Sequence, residues 1–416
     1  MSTLSSTPDT LARAKKRLMH CINPQPVVLE RGDGAVVWDL DGNRYIDLLG
    51  GLAVTGLGHA HPKVVAAIES QARKLVHVSN MYGSTPMVEL AEKLCANSFA
   101  ERVFFCNSGA EANEAALKAA RKYFHDKGEG RFEFVTALNS FHGRTMGAVT
   151  ATGQEKYRAG FEPLVPGFRY VPFGDIEALA RAVGPRTAAV LLEPIQGEGG
   201  LIVPPPGYLK QVRQLTKDVG CLLILDEIQS GMGRTGTMFA YQQEDMVPDI
   251  ITIAKGLGNG VPIGAMLTTD EISKALQPGT HASTFGGNLL TCAAGNAVMD
   301  VLVEEGFLSG VRDRSAALRR QLEELSARHP SFMGEVRGRG MWLGCELKWD
   351  GTKFVHYARE QGVLVNIIHG HVLRLAPPLV LPQDLMEEAF QRLDRAVTLF
   401  EEKERPAAPG ATAAPR

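Results

Sequence analysis

The sequence predicts an α/β protein, with a mostly parallel sheet covered on both faces by helices and a smaller α+β domain beside it. Three observations carry this. Apolar runs of strand length alternate with amphipathic segments of helix length. Several of the runs end in acids, lysine or glycine-rich bends, the places where ligands gather in such sheets. After Asn288 the alternation stops and longer helices and short strands take over.

In chain order, residues 1–20 are polar, and are expected to be mobile or loosely helical. Apolar residues at 35–39 and 45–48 flank the turn Asp41-Gly42-Asn43 and predict a hairpin that joins the C-terminal layer. Strands are expected at 102–106, 132–136, 188–193, 221–226, 250–254 and 264–268, with helices at 110–125, 175–183 and 208–219 between them. A long helical stretch follows to about 328, with Leu318, Leu322 and Leu325 at helical spacing. Short strands at 341–347, 364–368 and 372–375 precede a final helix at 384–402. The Pro- and Ala-rich tail reads as disordered.

The domains expected are a flexible arm (1–20), a segment joining the small domain (21–60), a large domain (61–290), a small domain (291–402) and a tail (403–416). The 416 residues suffice for a core without staples. Composition is 44% hydrophobic and 22% charged, ordinary for a globular protein. A net charge of −2 gives no bulk field toward nucleic acid or an anionic membrane. No run approaches the ~18 apolar residues of a membrane span. The six cysteines form no CxxC pair and read as small hydrophobes in a reducing compartment. The N-terminus lacks the apolar core of a signal peptide, so a cytoplasmic location is expected.

Lys255 closes the run Ile250-Ile251-Thr252-Ile253-Ala254, just before Gly256-Leu257-Gly258. A lysine there either snorkels to solvent or is used chemically, because a buried ammonium is costly. Asp226 ends another buried run; it either caps the next turn or pairs with a cationic ligand group. Asn107-Ser108-Gly109-Ala110 joins a strand to a helix, which suits a phosphate but is also an ordinary cap. Phe141 either fills the core or stacks on a flat ligand. Arg144 and Arg374 offer forks to carboxylates, with a structural ion pair as the alternative for Arg374. Ser283 and Thr284 supply hydroxyls, or only a turn. Glu193 and Glu198 lie amid glycines, but with no histidine or third acid nearby in sequence no metal is expected.

In combination these stretches resemble the acetylornithine/ornithine aminotransferase family, of the class-III pyridoxal-phosphate enzymes. The resemblance spans about residues 20–400. It rests on GGLAVTGLGHAHP (50–62), NSGAEANEAALKAAR (107–121), FHGRT (141–145), LLEPIQGEGG (191–200), LILDEIQSGMGRTG (223–236), DIITIAKGLGNGVPIGAM (249–266), HASTFGGNLL (281–290) and LRLAPPL (373–379). It implies the aspartate-aminotransferase fold (fold type I), with a mostly parallel seven-stranded sheet in the large domain. It also implies pyridoxal 5'-phosphate carried by Lys255, with Asp226 on the ring nitrogen and Gln229 on the ring hydroxyl. Ser108, Gly109 and Ala110 would hold the phosphate, joined by Thr284 from the neighbouring subunit of a homodimer. Phe141 would stack on the ring, with Glu227 and Ile228 also at the cofactor. Arg144 and Ser283 would meet the substrate's carboxylate side, and Arg374 the carboxylate of 2-oxoglutarate or glutamate. Glu198 would shield Arg374 while the amino donor is bound.

Leu52 stands where ornithine-specific relatives place a tyrosine, so the resemblance favours N2-acetylornithine as donor, in arginine biosynthesis. Ornithine, succinylornithine and succinyl-diaminopimelate remain alternatives, as does an aminomutase. The partners implied are these small molecules and a second subunit, not nucleic acid or membrane. Ala110 departs from many relatives, which have threonine there, and removes one hydroxyl near the phosphate.

Overall fold

The computed structural model describes residues 6–406. Seven strands form the large sheet: β1 (Arg102–Cys106), β2 (Glu133–Ala137), β3 (Phe168–Val171), β4 (Thr187–Leu192), β5 (Leu222–Asp226), β6 (Ile250–Ile253) and β7 (Gly264–Thr268). Their order is β1-β7-β6-β5-β4-β2-β3. All neighbouring pairs are parallel except those of β7, which runs antiparallel to both β1 and β6. The central strands are buried at every residue, as continuous Val/Ile/Leu runs require when helices cover both faces. Six of these strands match the sequence expectation to within a residue or so. β3 does not appear in it: Phe-Arg-Tyr-Val is an edge strand with only one buried residue, so it lacks the apolar run that marks the others.

The helix Gly109–Asp126 lies against this sheet on a buried alanine-rich face. Small residues there let helix and sheet approach closely. The helix Tyr208–Val219 has its expected bounds and is closed by Gly220 at φ 74°. The single long helix expected after Asn288 is two helices, Leu289–Leu302 and Phe307–Arg328. Gly306, at φ 82°, makes the break.

The hairpin of Val36–Asp39 and Arg44–Asp47 does join the C-terminal layer. Arg44–Asp47 pairs in parallel with Val363–Leu364, and Leu29–Asp33 adds an outer strand. A second antiparallel sheet has the order Met333–Arg339, Trp342–Leu347, Val372–Leu375, Asn366–Ile368. Its first strand, Met-Gly-Glu-Val-Arg-Gly-Arg, escapes sequence reading because it is polar, holds two glycines and carries a register shift. The final helix runs Gln383–Glu404, two residues beyond its expected end. Near the N-terminus Thr7–Arg17 is a helix with no buried residue, capped by Ser6. The tail expected to be disordered from 403 begins later, because Lys403 and Glu404 still belong to the final helix; 407–416 lie outside the described residues. Among the described residues no helix is long and apolar enough to cross a membrane.

Candidate active site

A cavity of about 300 Å3 opens at the carboxyl ends of the parallel strands. Ser108, Gly109 and Ala110 line one side, Phe141 and His142 another, and Asp226, Ile228, Gln229 and Lys255 the floor. They arrive from the carboxyl ends of four strands and the loops that follow them: β1, β2, β5 and β6.

Lys255 begins a 3-10 turn two residues after β6, and its backbone is left-handed at φ 44°. A non-glycine residue held there is strained, a feature that clusters at functional sites. Its side chain keeps some accessible surface because it faces the cavity, yet protein surrounds it. Burial lowers its pKa to about 8; Glu198 and Asp226 oppose the shift and Arg374 reinforces it. The amine still carries its proton at pH 7, but gives it up far more readily than an ordinary lysine.

Asp226 is 5% exposed and gripped on several sides. Its Oδ2 accepts from Asn113 Nδ2 at 2.8 Å and lies 2.8 Å from His142 Nδ1; its Oδ1 accepts from the Ile228 amide at 3.1 Å. His142 Nε2 sits 3.2 Å from Thr136 Oγ1, and Asn113 Oδ1 accepts from Thr252 Oγ1 at 2.7 Å. These contacts fix the carboxylate's direction. Asn113, His142 and Thr252 are positioning residues that the sequence did not reveal, although all three sit inside the quoted NSGAEAN, FHGRT and DIITIAKG stretches. Their role depends on which strands become neighbours.

Ser108 caps the Gly109–Asp126 helix: its Oγ accepts from Glu111 N at 3.2 Å. The hydroxyl proton stays available, and the first amides of the helix have no intrahelical acceptor. Capping and anion binding thus coexist at this residue. A Cβ on Gly109 would come within 2.6 Å of Ile228 Cδ1, so glycine keeps these two walls in contact. Gln229 turns a buried Oε1 that has no partner among the described residues.

Glu193, just past β4, holds two loops at once. Its Oε2 accepts from Phe141 N at 3.0 Å and its Oε1 from Gly197 N at 3.2 Å. Burial, with Asp226 nearby, pushes its pKa well above the usual carboxylate range. Beyond it, Glu198 Oε1 accepts from Arg374 Nη1 at 2.5 Å. Burial raises the Glu198 pKa, but Arg374 more than offsets this and leaves it below normal. Arg374 comes from the strand Val372–Leu375 of the second antiparallel sheet and is 2% exposed, with its Nε unpartnered among the described residues.

Other expected residues stand elsewhere. Glu227 turns away from the cavity: its carboxylate accepts from Ser230 Oγ at 2.6 Å, Ala240 N at 3.0 Å and Tyr241 N at 2.8 Å. Its role here is to pin the loop after β5, which corrects its expected place beside the cofactor. Arg144 lies on the outer rim, its guanidinium 4.0 Å from the centre of the Tyr157 ring. Ser283 Oγ accepts from Asn107 Nδ2 at 2.9 Å, and Thr284 is exposed. Neither lines the cavity of its own chain.

A mixed seven-stranded sheet with a left-handed lysine and a clamped acid at its carboxyl edge defines an enzyme of fold type I. The aminotransferase class-III family model matches residues 20–397, and the chain belongs to that family. It is 50% identical to the acetylornithine aminotransferase of Caldanaerobacter subterraneus, over 91% of this chain and 97% of the relative. Identity to the Myxococcus xanthus acetylornithine aminotransferase is 49%, over 91% and 95%. The ornithine aminotransferase of Toxoplasma gondii superposes with a TM-score of 0.93 at 35% identity, covering 96% of each chain. N-acetylornithine aminotransferase of Stenotrophomonas maltophilia gives 0.82 at 40% identity, over 94% of this chain and 99% of that one.

Proposed function

We propose that this aminotransferase moves the terminal amino group of N2-acetylornithine to 2-oxoglutarate, giving N-acetylglutamate semialdehyde and glutamate, as a step of arginine biosynthesis in the cytoplasm. The cofactor of this reading is pyridoxal 5'-phosphate. The observation that carries it is Lys255 facing a clamped Asp226 across one cavity. The unpartnered Gln229 Oε1 and the free amides at Gly109 and Ala110 fit the ring hydroxyl and phosphate of that cofactor. When bound, it supplies an aldehyde for a primary amine and a cationic ring that takes up an electron pair.

The chain's own residues do the rest. Asp226, unable to turn, keeps a positive charge on the ring nitrogen favourable. Phe141 covers the ring. Lys255, whose amine loses its proton more readily than an ordinary lysine, takes a proton from the substrate carbon and delivers it again as the transfer completes. Arg374 receives a carboxylate of 2-oxoglutarate or glutamate, and Glu198 neutralises that arginine when the donor occupies the site; the 2.5 Å pair is the shielded state. Arg144 and Ser283 approach the donor's carboxylate side. The exposed Leu52 leaves room for a blocked α-nitrogen without a phenol to grip a free one.

The reading also includes a homodimer in which Thr284 crosses to the partner's phosphate site, and the division into an arm (1–20), a linking segment (21–60), a large domain (61–290), a small domain (291–402) and a tail (403–416). The two sheets and the small-domain origin of Arg374 support that division. A donor panel with 2-oxoglutarate, read as glutamate formed, tests the assignment. N2-acetylornithine is expected to give the highest kcat/KM. A preference for free ornithine would overturn the choice of donor; glutamate formation from none of the amines would overturn the whole reading.

A further inference from the structure

A cleft of about 470 Å3, sharing no lining residue with the candidate active site, lies between strand Arg44–Asp47 and the helices Phe354–Glu360 and Gln383–Glu404. Four arginines line it, Arg44, Arg359, Arg392 and Arg395, against one lining acid, Glu360.

Their counter-charges do not match. Glu388 accepts from Arg44 at 2.7 and 3.1 Å and from Arg392 Nη2 at 2.5 Å, so one carboxylate serves two guanidinium groups. Arg359 Nη1 reaches only the amide oxygen of Gln25, at 3.0 Å. Arg395 Nε reaches only that of Gln361, at a long 3.4 Å. Among the described residues neither arginine has a carboxylate within ion-pair distance. Asp39, beneath Tyr45, already accepts from Tyr45, Asn43 and the Asp41 amide.

Helix-end electrostatics explain part of this cluster. Arg359 lies in the last turn of its helix, and Arg392 Nη1 donates to the Gln361 carbonyl at 3.2 Å, where that helix ends. They do not explain Arg395. It sits mid-helix, three residues from Arg392 and seven from Glu388 on the same face. Like charges one turn apart repel, and no carboxylate offsets that pair at Arg395.

We propose that this cleft binds a small phosphorylated anion of at least two negative charges, with Arg359 and Arg395 as its principal ligands. Guanidinium forks match phosphoryl oxygens two at a time. The concave site is large enough for a molecule bigger than a single oxyanion. Inorganic polyphosphate and a nucleotide share this chemistry.

The test is calorimetric titration of the cofactor-loaded protein at low ionic strength, first with pyrophosphate and then with ATP. The loaded protein keeps the phosphate site of the active centre filled. Saturable binding of pyrophosphate is expected, with affinity falling roughly tenfold or more for each arginine removed in Arg359→Gln and Arg395→Gln. Melting temperature and turnover of these variants should be unchanged. ATP binding more tightly than pyrophosphate identifies a nucleotide; ATP binding more weakly identifies a free polyphosphate. Should the double variant fold poorly, the exposed Arg395→Gln alone carries the comparison. No saturation at millimolar pyrophosphate, or equal binding by the variants, would overturn the proposal. So would retention of RNA or anionic vesicles without pyrophosphate binding.

Discussion

At the residue scale the account turns on a lysine that the fold holds against its own preference. Burial lowers the Lys255 pKa from the ordinary 10.5 to about 8. Between those values the unfolded chain binds the extra proton and the folded one does not. Stability of the cofactor-free protein therefore rises with pH across that window, and at pH 7 the full penalty applies. A shift of this size corresponds to about 3 kcal/mol as an upper figure. Cofactor-free Lys255→Met is thus expected to melt higher than the parent at pH 7, with the gap narrowing from about pH 8 to about pH 10.5. Scanning calorimetry across pH measures this. A variant that melts lower at pH 7 would contradict the account of a disfavoured charge.

Residues of this kind were legible because their chemistry conflicts with their position. Lys255 and Asp226 stand at the ends of apolar runs, where packing alone does not call for them. Glu227 carried the same signal and misled: it is an acid in the same turn, but its oxygens are consumed by Ser230, Ala240 and Tyr241. Asn113 and Thr252 gave no signal. They lie far apart in sequence and touch only because β6 packs beside the helix Gly109–Asp126.

At the element scale the site depends on loops held to strands by very close approach. β7 passes behind the turn at Ser108, and a Cβ on Gly264 would lie 2.4 Å from the Ser108 carbonyl oxygen. Backbone cannot yield there as a flexible side chain can. Gly264→Ala is expected to destabilise the protein by about 1–3 kcal/mol and to weaken cofactor retention, because the same turn forms the proposed phosphate cradle. Denaturant unfolding and dialysis of the loaded protein measure the two effects. Unchanged stability with unchanged retention would show that this contact does not position the turn. Continuous apolar runs made the central strands readable. The edge strand β3 and the polar strand Met333–Arg339 were not readable, since their partners, rather than their composition, make them strands.

At the scale of the whole molecule, the seven-stranded sheet and its loops contribute the lysine, the clamped acid and the helix terminus, while the antiparallel sheet of residues 333–375 contributes Arg374. Buried Arg234 ties the two together: its Nη1 donates to the carbonyls of Met341 at 3.0 Å and Pro377 at 2.5 Å. Exposed Met81, Tyr82 and Phe285 lie near Thr284 in sequence or on the facing loop around Asn80, whose side chain donates to the Ser283 carbonyl at 2.9 Å. An apolar surface there suits a second copy of the chain. Sedimentation equilibrium is expected to give twice the 45.0 kDa chain mass. A monomer with full turnover would remove the shared-site part of the reading.

Borohydride reduction of the cofactor-loaded protein, followed by peptide mapping, bears most directly on the lysine. The account predicts loss of the yellow colour and a stable cofactor adduct on the peptide containing Lys255, and on that peptide alone. An unmodified Lys255 peptide, or an adduct on another lysine, would contradict it.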